Sequence, residues 1–217
     1  GLGDVYKRQS LMRARLEVYY EVIPSNSLRL FQSKFDKDPN DANTYGLALA
    51  HQKNNNYEKS INLLDKLIKK YPKNLVINTT KVDILTAFGN YSDALILVDK
   101  FLEISPKDYP LSISKSKLLL AMKSYFESEE IIRDQLLRKN DDPELWLLLS
   151  EIQRNSQNIL GYHQSRAEYY LLLGQDEQAL NQLEFALKMT QNNFQASERI
   201  MTKIVDIKKD LGESRGL

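Results

Sequence analysis

The chain has 217 residues, and its 30 basic side chains against 29 acidic ones argue against a phosphate-binding surface, which needs a concentrated basic face. The absence of cysteine excludes disulfides and thiolate zinc sites while leaving the compartment open. With only 8 glycines and 6 prolines the composition favours long helices over a turn-rich β protein, and no run approaches the roughly 18 apolar residues of a membrane span.

In chain order, Gly1–Gln9 (GLGDVYKRQ) resembles translated adapter sequence of the kind found at the ends of metagenomic assemblies. Ser214–Leu217 (SRGL) looks like a partial copy of it, so residues 1–9 and 212–217 are expected to stand outside the fold. Leu11–Glu21 reads as a helix stopped before Pro24. Leu28, Phe31 and Phe35 are spaced for one face of a second short helix over 25–37. Asp38-Pro39-Asn40-Asp41 is a turn and N-cap cluster.

From here the sequence repeats. Residues 41–74 and 75–108 superimpose without a gap, so that Tyr57 falls on Tyr91, Asn55 on Gly89, Ser60 on Ala94, Leu64 on Val98 and Pro72 on Pro106. Helices are predicted over 41–54 and 57–71, then 75–88 and 91–104, each pair joined by a tight turn at Asn55 or Gly89. A third, looser unit follows: a helix from Pro110 to about Lys123 with Leu118, Leu119 and Met122 inward. Its partner after Tyr125 carries Ile131, Ile132, Leu136 and Leu137. The next proline is Pro143 rather than residue 140, which reads as a three-residue slip. Helices then follow over 144–155, 160–173 and 176–190. Gly174 and Ala179 stand at the Gly89–Ala94 interval, so 160–193 reads as a further unit half a repeat out of phase. A last helix over 194–211, with Phe194, Ile200, Ile204, Ile207 and Leu211 apolar, would cap the array.

A 34-residue period with an aromatic after the turn, a small residue three places on and a closing proline is the tetratricopeptide repeat (TPR) signature. The expected fold is therefore all-α, a TPR-type α-solenoid of helix hairpins with about ten to twelve helices. In such an array the first helix of each hairpin lines the concave surface. Its second, fifth, ninth and twelfth positions select Ala42, Tyr45, Leu49 and Gln52, then Val76, Thr79, Asp83 and Thr86, then Gly161, Gln164, Glu168 and Leu171, of which Tyr45, Leu49, Gln52, Thr79, Asp83, Thr86, Gln164 and Glu168 are the candidate binding residues. The face mixes apolar and polar groups, which suits an extended peptide better than a highly charged tail.

Chemistry is not legible. His51 and His163 stand in HQKNN and HQSRA, neither of them HExxH, and no nucleophile elbow or phosphate-binding glycine loop is present. Glu129-Glu130 reads as a solvated helix face and Asp141-Asp142 as a cap. Tyr169-Tyr170 beside Arg166 and Glu168 is the one polar–aromatic cluster beyond the repeat pattern.

The string HQSRAEYYLLLGQDEQALNQLEFAL (His163–Leu187) resembles the HQARAEYY…G…A…QL…AL segment of BepA-like (β-barrel assembly-enhancing) periplasmic zinc metalloproteases. LMRARLEVYY, PELWLLLSE and FQASERIMTKIVDIKK follow the layout of that family's C-terminal TPR array, so the resemblance covers roughly residues 10–211. It implies that 10–37 is a helical linker from an upstream HExxH protease domain and that 38–211 is the array with its capping helix. It also implies a periplasmic protein that engages outer-membrane β-barrel proteins or their assembly machinery, with zinc held in the upstream domain. No residue of this chain matches the family's zinc ligands or general base, so no catalytic residue and no cofactor is assigned to it. A stand-alone adaptor in an envelope or secretion complex is the alternative.

Overall fold

The computed structural model describes residues 2–190 and 193–214, so Gly1 and residues 215–217 of the adapter-like ends lie outside the described residues. Twelve α-helices and no strand occur among the described residues. They are α1 (Leu2–Tyr20), α2 (Pro24–Lys37), α3 (Asp41–Lys53), α4 (Tyr57–Lys70), α5 (Leu75–Phe88) and α6 (Tyr91–Ile104). The remainder are α7 (Tyr109–Ala121), α8 (Tyr125–Leu136), α9 (Pro143–Asn155), α10 (Ile159–Leu172), α11 (Asp176–Lys188) and α12 (Phe194–Ser214). They form two compact units, residues 1–114 and 115–217, with the division inside α7.

In unit 1, Leu11 and Ala14 of α1, Phe31 of α2, Tyr45 of α3, Leu64 of α4 and Ile77 of α5 are buried together in a hydrophobic core. The segment expected as a linker thus packs as a helix hairpin against α3. Lys34 pairs with Glu17 across α1 and α2. Lys53 of α3 donates to the Val18 carbonyl at 2.7 Å, neutralising the open C-terminal end of α1. Gly46 lets α2 approach: a Cβ there would stand 2.0 Å from Cε1 of the Phe31 ring. α1 also begins earlier than the predicted Leu11, within the adapter-like segment.

The hairpin turns keep the repeat in register. Asn55, Gly89, Lys123 and Gln157 all adopt positive φ, at 60°, 86°, 64° and 62°, and they follow one another at the 34-residue period. Each is followed by the same 6→1 bond of a Schellman turn: Asn56 N to His51 O, Asn90 N to Leu85 O and Ser124 N to Leu119 O at 2.9 Å, and Asn158 N to Gln153 O at 2.8 Å. The N-caps of the first helices keep the same period. Asn40 accepts from Asn43 N, Asn74 from Ile77 N, Asp108 from Leu111 N and Asp142 from Glu144 N, over 2.9–3.1 Å.

The expected slip at Pro143 is therefore a slip of the proline alone. Asp142 caps in phase and Gln157 turns in phase, while Pro143 occupies the first helical turn, where its missing N–H costs nothing. The half-repeat offset is present. Gly174 is left-handed at φ 67°, and the Gln175 N to Tyr170 O bond of 2.9 Å gives α10–α11 the turn otherwise found between the helices of one hairpin.

Three predicted core positions are corrected, because each lies at a helix end where the apolar stripe has left the core. Met122 follows α7 and is 37% exposed, Leu137 caps α8 at 85%, and Phe194 opens α12 at 82%. In unit 2, Ala167, Leu183, Ala186, Ile200 and Ile204 make the core of α10, α11 and α12. No described helix is long and apolar enough to cross a membrane.

Candidate peptide-binding faces

The hairpins hold their helices close through one small side chain each, which fixes where the first helix presents its residues. Ser60 Oγ donates to Ala48 O at 2.7 Å between α3 and α4, and Ser128 Oγ donates to Ser116 O at 2.8 Å between α7 and α8. Tyr57, the aromatic of the repeat, stacks on Phe88 with centroids 5.5 Å apart.

Against this frame the candidate positions separate into buried and open. Tyr45 is fully buried, and its hydroxyl lies 2.7 Å from Thr80 Oγ1. Burial raises its phenol above the ordinary value, opposed by the Arg15 charge and the Thr80 hydrogen bond. Leu49 is also a core residue, while Gln52 is half-buried at the end of α3. Asp83 accepts from Ser114 Oγ at 2.6 Å, and Thr86 turns its hydroxyl back to Val82 O at 2.8 Å. Thr79 is 8% exposed, yet its Oγ1 has no hydrogen-bond partner. In unit 2, Gln164 is exposed and Glu168 pairs with Lys203 of α12.

Two concavities, one in each unit, take in three of these residues, Thr79, Gln164 and Glu168, while Tyr45, Leu49, Gln52, Asp83 and Thr86 line neither. In unit 1 a groove of about 920 Å³ runs past Met12 and Arg15 of α1, Tyr71 and Lys73 of the loop after α4, and Val76 and Thr79 of α5. Lys70, also on its wall, donates to Asp41 Oδ1 at 2.9 Å and lies 5.2 Å from the centre of the Tyr71 ring; its pKa is raised, chiefly by the hydrogen bond to Asp41. Tyr71 donates to the other Asp41 oxygen at 2.6 Å. In unit 2 a smaller pocket of about 260 Å³ holds Gln164 and Glu168 with Arg133, Trp146, Gln153 and Arg199. Met12, Arg15, Lys73 and Arg199 were not among the sequence candidates. They lie on helices and a loop outside the repeat's first-helix positions, so the periodicity carries no signal for them.

The remaining sequence features resolve into structure. His163 packs on the second helix of its hairpin, stacked on Phe185 at 5.3 Å with Nδ1 2.9 Å from Gln182 Oε1. His51 is buried, and its Nδ1 has no partner. Burial lowers its pKa, and the Lys59 cation adds to that. Arg166 lies over the rings of Tyr169 and Tyr170, at 5.2 and 4.7 Å, which makes that cluster a cation–π contact within one helix. Glu129 pairs with Arg133 one turn on, at 2.6 Å. Among the described residues no group of three or more histidine, cysteine, aspartate or glutamate side chains could hold a metal ion.

Residues 42–74, the first hairpin and the loop after it, match the tetratricopeptide repeat family. A thermophilic TPR protein from Thermus thermophilus is 18% identical over 91% of this chain and 98% of its own, with a TM-score of 0.55. A tetratricopeptide repeat protein from Parabacteroides merdae is 16% identical over 84% of this chain and 78% of its own, at 0.54. MamA from Desulfovibrio magneticus is 13% identical over 85% of this chain and 96% of its own, at 0.52. No curated protein is significantly similar in sequence. These likenesses are of fold: the chain is an all-α protein of TPR type, built as a solenoid of helix hairpins.

Proposed function

We propose that this chain is a scaffold that binds proteins through extended peptide segments laid along the first-helix side of its hairpins. The observation that carries the reading is the unit 1 groove, about 920 Å³ in volume, whose lining includes the repeat positions Val76 and Thr79. A concave, largely apolar surface with a few placed polar groups is what peptide recognition requires. The direct test is titration of the chain with unfolded outer-membrane protein segments. Lys73→Ala on the unit 1 groove and Gln164→Ala on the unit 2 pocket, both at exposed positions, are expected to weaken binding; unchanged affinity in both would remove these faces from the site.

The finer reading is that the array presents outer-membrane β-barrel clients, or their assembly machinery, to an upstream zinc metalloprotease domain in the periplasm. It is supported by the HQSRAEYY string at His163–Tyr170 and by the order of the flanking helices. The stand-alone adaptor is equally consistent with the tetratricopeptide fold. The neighbouring DNA separates the two. An HExxH-encoding stretch in frame upstream supports the protease; a start codon and signal peptide just before residue 10 supports the adaptor.

A further inference from the structure

We infer that the unit 1 groove selects an acidic–aliphatic peptide, one in which carboxylates alternate with Leu- or Val-like side chains. The inference rests on the scaffold reading above and adds the chemistry of its ligand. The apolar part of the lining is formed by Met12, Pro72, Leu75, Val76 and Pro110. Beside these are Arg15 and Lys73, which have no hydrogen-bond or ion-pair partner among the described residues. Lys70, by contrast, is engaged by Asp41. Asp108 is the one carboxylate on the lining, and its Oδ1 is occupied 3.0 Å from Leu111 N as a helix cap. With Lys70 paired to Asp41, Arg15 and Lys73 against the single Asp108 carboxylate leave the lining net positive beside its apolar residues, and a partner of opposite sign gains both on-rate and register from it. Arg8, in the adapter-like segment, lines the same groove.

Thr79 adds the second, independent observation. A buried hydroxyl left without a partner is costly, and native structures leave few. This one belongs to a residue on the groove lining; its oxygen is closed to solvent in the unliganded fold, and a peptide carbonyl or carboxylate that opens the lining would supply the partner it lacks. A nucleic acid fits less well. Tyr71 is the one aromatic on the lining, and it is held by Asp41 and covered by the Lys70 ammonium, so no open ring is available for base stacking.

The test is fluorescence anisotropy on the full chain with four probes: a labelled peptide alternating Glu or Asp with Leu or Val, its Gln/Asn counterpart, its Lys counterpart, and a single-stranded oligonucleotide. The acidic peptide is expected to bind about tenfold more tightly than its amide counterpart, with affinity falling as salt rises. Lys73→Glu, at an exposed loop position, is expected to lose about tenfold and Thr79→Val about fivefold, with unchanged helical content. Equal binding of the acidic and amide peptides, or no loss in Lys73→Glu, overturns the inference while leaving the scaffold reading intact. Tighter binding of the oligonucleotide overturns it in favour of phosphate recognition. No binding of any peptide defeats both readings.

Discussion

The hairpins α3–α4 and α9–α10 turn in the same phase but cross differently. In the first, the contact is made at the repeat's small position, Ser60, which donates into the backbone of α3. In the second, the equivalent position is Tyr162, and the small residue has moved one place earlier, to Gly161. A Cβ at Gly161 would stand 2.8 Å from Gln153 Nε2. Ser165 Oγ and the Gln153 side-chain amide, 2.7 Å apart, replace the hydroxyl-to-backbone bond. The two helices of a hairpin need one small residue where they cross, but its place can move while turn and cap keep their period. A broken sequence pattern is therefore weaker evidence for a broken fold than a displaced turn would be.

If α1–α2 is part of the first region's core and not a tether, the largest effects should come from the contact between α2 and α3. Phe31→Ala is expected to cost about 3–5 kcal/mol, and Gly46→Ala about 1–3 kcal/mol even though alanine is the better helix former, because its methyl meets the Phe31 ring. Urea midpoints of the two single variants and the double variant check this. The double should cost less than the sum, since removing the ring makes room for the methyl.

The shared turn predicts effects of opposite sign at equivalent positions. Gly89→Ala forces a side chain into the left-handed region and is expected to cost about 1–2 kcal/mol, whereas Lys123→Gly relieves that strain and should stabilise by up to about 1 kcal/mol. Thermal melts of both variants read the comparison directly. Tyr45→Phe is smaller still, about 1 kcal/mol by chemical denaturation, because Thr80 keeps its 2.7 Å bond to Val76 O when the phenol is removed.

The smallest effect is a pH dependence. His51 is held below its ordinary pKa in the fold by burial and by Lys59, so the unfolded chain takes up a proton more readily. Its contribution is present above the unfolded value of about 6.5 and is lost as the pH falls towards the lowered folded value. Stability should therefore fall between about pH 7 and pH 5, and His51→Gln should flatten that slope in melts taken across the range.

Much of the fold was legible because the turn and cap residues are chemically distinctive: Asn55 and Gly89 tolerate left-handed backbone, and Asn40, Asn74 and Asp142 cap. Lys123 and Gln157 carry no such preference, and the turn bonds from Ser124 N to Leu119 O and from Asn158 N to Gln153 O close around them at positive φ, which is why the period is hard to read after the second repeat. The site was less legible. Position counting picks residues on one side of a helix, but it cannot tell Tyr45, which a neighbouring hydroxyl draws into the core, from Thr79, which reaches the groove. Nor could it find Arg15, whose role depends on α1 packing beside α3.

The most direct test of the central claim is chemical-shift mapping of the full chain with the acidic–aliphatic peptide. The account predicts shifts concentrated at Met12, Arg15, Lys73, Val76 and Thr79, with Lys59 and Ser92, exposed on the second helices α4 and α6, unmoved. Shifts centred on Lys59 and Ser92, with the groove residues silent, would contradict it.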